Sequence, residues 1–272
     1  MDLGTIIGLA TALGALLLSV VMEGGNLASL INPPAAVLVF GGTIGATLVC
    51  YTISDLAGVG GLFKIAFFHK PSDPRETIRF IVGLAESARR EGLLKLEENI
   101  DEIDEPFLKE GIRLIVDGTD PALVRSMLET ELSLMEERHR RGGGLFETAG
   151  GFAPTMGIIG TVMGLVKVLG NLSDPSHLGP AIATAFIATL YGIASANILW
   201  LPIANKLKMR SREEALGKEL MLEGIISIQY GENPRIIQEK LMAFLLPKLR
   251  RSVPEGAGGE RDYGESKASA RA

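Results

Sequence analysis

Four long stretches of this chain contain no Asp, Glu, Lys or Arg, and they constrain its fold more than any other feature. They are Leu3–Met22, Gly24–Ser54, Thr148–Val166 and Pro175–Asn205. A helix of roughly 20 apolar residues crosses a bilayer core about 30 Å thick, so each stretch is long enough to span a membrane. The chain is therefore predicted to be an all-α membrane protein with transmembrane helices near 3–22, 34–54, 148–169 and 181–203.

The basic residues predict the orientation of these spans. Of 27 Lys and Arg residues, 26 lie in segments 55–146 and 206–272. Because Lys and Arg near helix ends stay on the cytoplasmic side, both segments and both termini are predicted to be cytoplasmic. The connections Glu23–Pro33 and Gly170–Pro180 contain neither residue, as outside loops should. The remaining base, Lys167, lies near the outer end of the third span, where its stem can snorkel to the interface.

The segments outside the spans are predicted to be helical, because a capping side chain precedes a proline in three places. These are Asp73-Pro74, Asp120-Pro121 and Asn233-Pro234. We expect the helix from Pro121 to feed the third span, and the fourth span to continue into the cytoplasm as far as about Gly231. After Ser252 few large apolar residues remain, which indicates disorder. The predicted organisation is transmembrane helices 1–54, a cytoplasmic helical domain 55–146, transmembrane helices 147–205, a helical extension 206–251 and a disordered tail 252–272.

Composition and motifs exclude several classes of function. One cysteine, Cys50, permits neither an internal disulfide nor a cysteine-based zinc site, and the three histidines are scattered. A net charge of −5 argues against a nucleic-acid-coating surface. The glycine-rich runs lack the Lys-Ser/Thr of a phosphate-binding loop, and neither a nucleophile elbow nor a His-Glu-x-x-His helix is present. We expect no enzyme, metal site or nucleic-acid partner. The first span is interpreted as retained rather than as a signal peptide, since no base precedes it.

No acidic side chain falls at membrane depth in the predicted spans. The nearest, Asp2, Glu23, Asp55, Glu147 and Asp174, lie at or beyond the helix ends. Because proton and sodium paths usually need an ionisable group inside the membrane, a conducting assembly would take its carrier from another polypeptide.

Spans three and four combine small residues, hydroxyls and prolines at helical spacing. Small side chains let helices approach closely, and Thr161 and Thr189 could offer oxygens to a dehydrated cation, although generic packing explains the glycines equally well. Pro154 and Pro202 each remove a backbone donor, which permits either a hinge or a static kink. The small residues are Gly157, Gly160 and Gly164 in span three, with Ala181, Ala185, Ala188, Gly192 and Ala196 in span four.

Five stretches resemble the flagellar motor stator family of MotA and its sodium-type relative PomA over nearly the whole chain. The N-terminal stretch is MDLGTIIGL, and the insert contributes ARREGLLKLEENI and FLKEGIRLIVDGTD. The third and fourth spans contribute GGFAPTMGIIGTVMGLVKVLGNLSDP and GPAIATAFIATLYGIASANILWLPIANKLK. The resemblance implies a torque-generating ion-channel subunit of the bacterial inner membrane, arranged as five copies around two copies of a single-span, peptidoglycan-anchored MotB-like partner. That partner would carry the ion-binding aspartate.

The resemblance also implies roles for particular residues. It assigns Pro154 and Pro202 to coupling, and Arg89 or Arg90 with Glu97 to contact with the flagellar rotor switch protein. The residues it places along the ion path are Thr161, Ala188, Thr189 and Tyr191. No cofactor is implied beyond the transported H⁺ or Na⁺.

The choice of ion and two rival functions remain open at this point. Sodium-type members tend to carry Thr-Thr where this chain has Ala188-Thr189, and often an acid where it has Asn32, whereas Thr161 and the TLYG sequence favour sodium. Taken together, these residues slightly favour protons over sodium as the transported ion. The rivals are an energiser of the ExbB/TolQ type, which typically has three spans, and a non-conducting membrane scaffold.

Overall fold

The computed structural model describes residues 3–68, 73–170, 178–245 and 247–250, and its regular elements there are all helical. The predicted all-α fold is confirmed, while the predicted disordered tail at 252–272 lies outside these ranges. Single helical turns occupy 27–30 and 93–102. The helices are α1 (Leu3–Met22), α2 (33–50), α3 (Ile53–Ala57), α4 (Val59–Phe68), α5 (Pro74–Glu91), α6 (Pro106–Val116), α7 (Pro121–Leu169), α8 (Leu178–Gln229), α9 (Pro234–Met242) and α10 (Pro247–Arg250).

Four of these helices, α1, α2, α7 and α8, are long and apolar enough to cross a membrane, as predicted. The second begins at Pro33, because the side chain of Asn32 accepts a hydrogen bond from the Ala35 amide. It ends at Cys50, four residues before the predicted 54. Tyr51 is extended there, and Thr52 forms a capping box that starts α3.

The third and fourth spans are each part of a much longer continuous helix. The predicted helix from Pro121 and the predicted third span form the single 49-residue helix α7, which passes through three consecutive glycines without a break. A Cβ atom on Gly142 would lie 3.1 Å from two methyl carbons of Leu62, so this glycine provides room for α4. Helix α8 ends at Gln229, close to the predicted Gly231, whose φ of +68° stops the helix.

The predicted helix starts are confirmed by their caps. The side chains of Asp73, Asp120 and Asn233 each accept a hydrogen bond from the amide two residues ahead, at 2.9–3.0 Å. A fourth start, Glu105-Pro106, was missed because glutamate is a poor capping residue, and here its side chain makes no capping hydrogen bond. Proline at the first helical position nevertheless begins α6 at this point.

Tertiary contacts divide the chain into two compact units, which are described separately below. The first unit comprises Met1–Lys70 and Met135–Glu213, and the second comprises Pro71–Leu134 and Glu214–Ala272. Two of the three unit boundaries fall inside helices, one in α7 and one in α8. The membrane and cytoplasmic boundaries predicted from charge remain predictions.

The first unit has an aromatic cluster that joins α4 to α7 and α8. Phe146 is fully buried, meets Phe63 edge to face at a centroid distance of 5.1 Å, and lies 6.4 Å from Trp200. Nearby, the hydroxyls of Tyr51 and Thr148 are hydrogen-bonded at 3.0 Å and connect α2 to α7. In contrast, the most hydropathic part of α1 has no buried residue within this chain.

The second unit has the largest apolar core, contributed by α5, α6, α7, α8 and α9. Glycines allow its helices to approach closely, since a Cβ atom on Gly111 would overlap the Ile225 side chain and one on Gly224 would lie 2.7 Å from Ile81. The buried side chains in this core include Phe107, Ile112, Leu128 and Leu241. The predicted apolar faces of α5 and α6 are therefore the faces that pack.

An ionic network at one side of the second unit joins α7, α8 and α9. Glu223 pairs with Lys240 at 2.5 Å and with Arg125 at 3.2 Å. Burial alone would raise the pKa of Glu223, but the hydrogen bonds from Lys240 and Arg125 outweigh it and leave that pKa below its ordinary value. The carboxylate is therefore ionised at neutral pH, and its contribution to stability is lost as the pH falls through the lowered pKa.

Candidate functional site

The small residues of the third and fourth spans form a seam in which α7 and α8 of the same chain lie in contact. A Cβ atom on Gly157 would lie 2.9 Å from the Ala188 carbonyl oxygen, and one on Gly192 would lie 2.5 Å from the Ala153 carbonyl oxygen. Real side chains do not tolerate such distances to backbone atoms, so glycine is required at both positions. The seam consists of Gly157, Gly160 and Gly164 on α7 and Ala185, Ala188 and Gly192 on α8.

The seam brings the two predicted ion-path threonines together. The hydroxyl groups of Thr161 and Thr189 are hydrogen-bonded to each other. The Thr161 oxygen also lies 3.1 Å from the carbonyl oxygens of Gly157 and Ala185. Both threonines are half-buried. The result is a neutral group of four oxygens, and such groups can hydrogen-bond water or coordinate a hard cation.

The side chains of the other two predicted ion-path residues, Ala188 and Tyr191, contact α2 and the residues just before it. Ala188 is buried against Ala35 and Val39 of α2, so its side chain packs between the second and fourth spans. The Tyr191 hydroxyl donates to the Leu30 carbonyl and accepts from the Asn32 amide at 3.0 Å. In this chain Tyr191 therefore ties the beginning of α2 to α8, and its role along an ion path remains a prediction.

Asn32 forms polar contacts to α2 and α8 that were not predicted from the sequence. Its side-chain oxygen caps α2, and its amide nitrogen donates to the Thr184 hydroxyl at 3.1 Å. The sequence Asn32-Pro33-Pro34 follows the same rule of a capping residue before proline that identified three other helices, so the start of α2 could have been read from it. The long-range partners, Tyr191 and Thr184, had no such signal.

The two candidate coupling prolines lie in different helical environments. Pro154 lies inside α7, which remains helical on both sides of it. Pro202 follows the π-helical turn Ala196–Trp200, in which the Leu201 amide donates to the Ala196 carbonyl five residues back. Proline has no N–H and its ring displaces the carbonyl four residues earlier, so Pro202 gives a physical reason for the wider turn.

The candidate rotor-contact residues lie in the second unit, at the end of α5 and in the turns that follow. Arg89, Arg90 and Glu97 are exposed, and none of the three forms an ion pair with another described residue. Gly92, with a φ of +88°, ends α5 two residues after Arg90. Lys95, in contrast, is paired with Glu98 at 2.8 Å. The three candidates are thus free of partners within the described part of this unit.

Ionisable groups are almost absent from the four spans as the structure describes them. Across 3–22, 33–50, 148–169 and 178–203, the one Asp, Glu, Lys or Arg is Lys167. The described residues also contain no group of three or more His, Cys, Asp or Glu side chains that could hold a metal. The site therefore offers hydroxyl and carbonyl oxygens, but no acid of its own at membrane depth.

Comparison with known proteins identifies the class to which this fold and site belong. The model of the MotA/TolQ/ExbB proton channel family matches residues 99–219, and that of the motility protein A N-terminal region matches 6–92. Motility protein A of Bacillus subtilis is 38% identical over 98% of both chains, and the chemotaxis protein PomA of Vibrio alginolyticus is 39% identical over 90% of this chain and 96% of that protein.

A solved structure agrees with these relatives. A chain of the flagellar MotAB stator complex from Bacillus subtilis superposes with a TM-score of 0.86 and 38% identity, covering 92% of this chain and 99% of that one. The present chain belongs to the MotA/TolQ/ExbB proton channel family. Within that class it is an ion-channel subunit of the flagellar stator, as the resemblance of its sequence predicted.

Proposed function

We propose that this chain conducts protons only together with a single-span partner, which corresponds to the MotB chain of the MotAB stator complexes. The observation that supports this division is the absence of any acidic side chain from the described spans. A channel needs a titratable or ion-binding group at depth, and here the partner supplies it as an aspartate. The transported proton is cargo, and no cofactor is proposed.

The pair of threonines gives the partner's aspartate a polar surface to pass. The oxygens of Thr161, Thr189 and the adjacent carbonyls are preorganised by the glycine seam, whereas the neighbouring side chains of α7 are apolar. Protonation neutralises the aspartate and lowers the cost of moving it past those apolar walls. Each charge that crosses 100 mV releases about 2.3 kcal/mol, which is available to drive the movement.

Five copies of the chain around two partner chains complete the proposed complex in the bacterial inner membrane, with both termini cytoplasmic. Support comes from the outer half of α7, where large apolar side chains are exposed in the single chain, among them Ile158, Val162, Met163 and Val166. Exposed apolar residues on a span must face lipid or another helix. The unpaired charges Arg89, Arg90 and Glu97 would contact the rotor switch protein.

The test is proton flux into vesicles that contain this chain alone, this chain with its partner, or this chain with a partner whose aspartate is changed to asparagine. We expect flux only with the unmodified pair, because only that pair has the titrating acid. Selective proton flux through the chain alone would reject the proposed division of roles. Flux of sodium instead of protons through the pair would reject the choice of ion alone.

A further inference from the structure

Leu94 is the most exposed large apolar residue in the described part of the second unit, with 72% of its surface accessible. A single exposed leucine is ordinary on a protein surface and needs no explanation by itself. The position of Leu94 is what distinguishes it, because it lies in the same short segment as the exposed charges Arg89, Arg90 and Glu97. The segment 89–97 therefore presents an apolar side chain among charges of both signs.

The neighbours of Leu94 hold it away from the core. Leu93 packs against the large apolar core of the second unit, and Leu96 is fully buried in that core. Between them, Lys95 pairs with Glu98 at 2.8 Å and fixes the turn from its polar side. Because the residues before and after it are anchored, Leu94 points outward as a consequence of how the turn packs.

Exposed charges alone provide too little affinity for a contact with the rotor. An exposed ion pair strengthens a complex by at most about fivefold, so three such pairs supply about a hundredfold. A complex with a dissociation constant of about 1 mM needs about a thousandfold on the same scale. An apolar contact that excludes water would supply the remainder, and interfaces commonly place such a contact inside a polar rim.

We propose that Leu94 inserts into an apolar pocket on the flagellar rotor switch protein and anchors the contact whose rim is formed by Arg89, Arg90 and Glu97. This inference rests on the rotor contact proposed above and adds its apolar centre. The pocket is bordered by acidic groups toward the arginines and by a basic group toward Glu97, since charges across an interface are complementary. The rim charges govern the rate of encounter, and the apolar anchor governs the rate of release.

The test measures how the purified complex of this chain and its single-span partner binds the purified rotor switch protein, with both rates followed by surface plasmon resonance. We expect Leu94→Ala to dissociate about tenfold faster at a nearly unchanged association rate, because the variant keeps every charge and loses most of its apolar side chain. Leu94→Met, which conserves the volume, should dissociate like the wild type. The tenfold ratio should persist at high salt, because salt screens charges.

Leu123→Ala is the matched control. Leu123 is another exposed leucine of the second unit, but it belongs to the first turn of α7 and not to the segment 89–97, so this variant should bind at wild-type rates. Arg90→Gln should instead slow association, and its effect should disappear at high salt. Leu94→Ala should match the wild type in thermal unfolding and in proton flux with the partner, because the side chain is exposed.

Four results would overturn the proposal. Equal dissociation rates for Leu94→Ala and the wild type would reject the anchor and leave a rotor contact made by charges alone. Faster dissociation that disappears at high salt would show that Leu94 acts only by positioning those charges. Loss of assembly in Leu94→Ala would assign the residue to a contact between copies of the chain. Absence of binding by the wild-type complex would reject the proposed rotor contact itself, and the anchor with it.

Discussion

The contact between Thr161 and Thr189 depends on residues that have no polar side chain at all. Gly157 and Gly192 bring the two helix backbones together, and only at that separation do the two hydroxyls meet. In a membrane a hydrogen bond between helices is worth about 0.6–2 kcal/mol, so the pair stabilises the contact modestly. Its greater effect is to place polar oxygens among the apolar side chains that line the proposed ion path.

We expect Thr161→Val to reduce proton flux about tenfold, because the isosteric methyl removes one oxygen contact to the passing charge. Flux is measured in vesicles that contain the chain and its partner. Thr161→Ser is the matched control, since it keeps the hydroxyl and loses only a methyl group. Equal flux in the valine and wild-type proteins would show that the pair serves packing alone.

Gly157→Ala should destabilise the protein by about 1–3 kcal/mol and lower flux, because the new methyl would lie 2.9 Å from the Ala188 carbonyl oxygen and push the helices apart. Thermal unfolding in detergent measures the first effect. Gly151→Ala provides the comparison, since a Cβ atom there meets nothing within 4 Å and alanine favours helix. Similar unfolding temperatures for the two variants would contradict the requirement for glycine in the seam.

At the level of secondary structure, α2 and α8 each contain a π-helical turn, at Val37–Gly41 and at Ala196–Trp200, and the turn in α8 is the one followed by a proline. That turn interrupts α8 immediately before Pro202 and directly opposite Gly150 of α7. A Cβ atom on Gly150 would lie 2.6 Å from Leu201, so the wider turn fits against a glycine. Such turns often occur at functional positions, and this one lies within the first unit.

Pro202→Ala should convert this turn to regular α-helix, since it restores an N–H for the Ile198 carbonyl and removes the ring that displaces it. We expect swimming speed to fall while the stator complex still assembles, and thermal stability to be unchanged or higher. Hydrogen exchange of the 196–205 segment, measured together with swimming, tests both parts. A variant that shows slower exchange yet swims normally would exclude a role for the turn in coupling.

Sequence alone predicted most of the helices but few of the contacts between them. Charge-free runs and capping residues before proline are local signals, so the four spans and the starts of α5, α7 and α9 could be read directly. The pairing of Tyr191 with Asn32 joins residues 159 positions apart, and no local pattern encodes it. The burial of Ala188 likewise depends on α2, which packs against α8 at that level.

Across the whole molecule, the two units carry different kinds of chemistry. The first has hydroxyls and carbonyls among apolar side chains, and the second has a large apolar core with exposed charges at the end of α5. Exposed ion pairs contribute about 0.2–1 kcal/mol each, so contacts made through such charges are weak and form and break quickly. Contacts of this kind would suit the proposed stepping against the rotor.

Reversing both charges, with Arg89→Glu and Glu97→Arg, should impair torque without reducing proton flux, because both residues are exposed and unpaired within the described part of their unit. The control reverses Arg235 and Glu239, an exposed pair of the same unit. Swimming and vesicle flux are measured in parallel, and the defect should depend on ionic strength. Loss of flux in the Arg89/Glu97 variant would indicate a structural role instead.

The glycine seam has an evolutionary consequence for the proposed ring. Because the small residues are consumed in joining α7 to α8 of one polypeptide, the surface left for adjacent copies consists of bulky aliphatic side chains such as Ile158 and Val162. Aliphatic surfaces accept interchange of similar volumes at a cost usually below about 1.5 kcal/mol. Substitutions on the surface between copies should therefore be tolerated during evolution, while substitutions at Gly157 or Gly192 should be eliminated by selection.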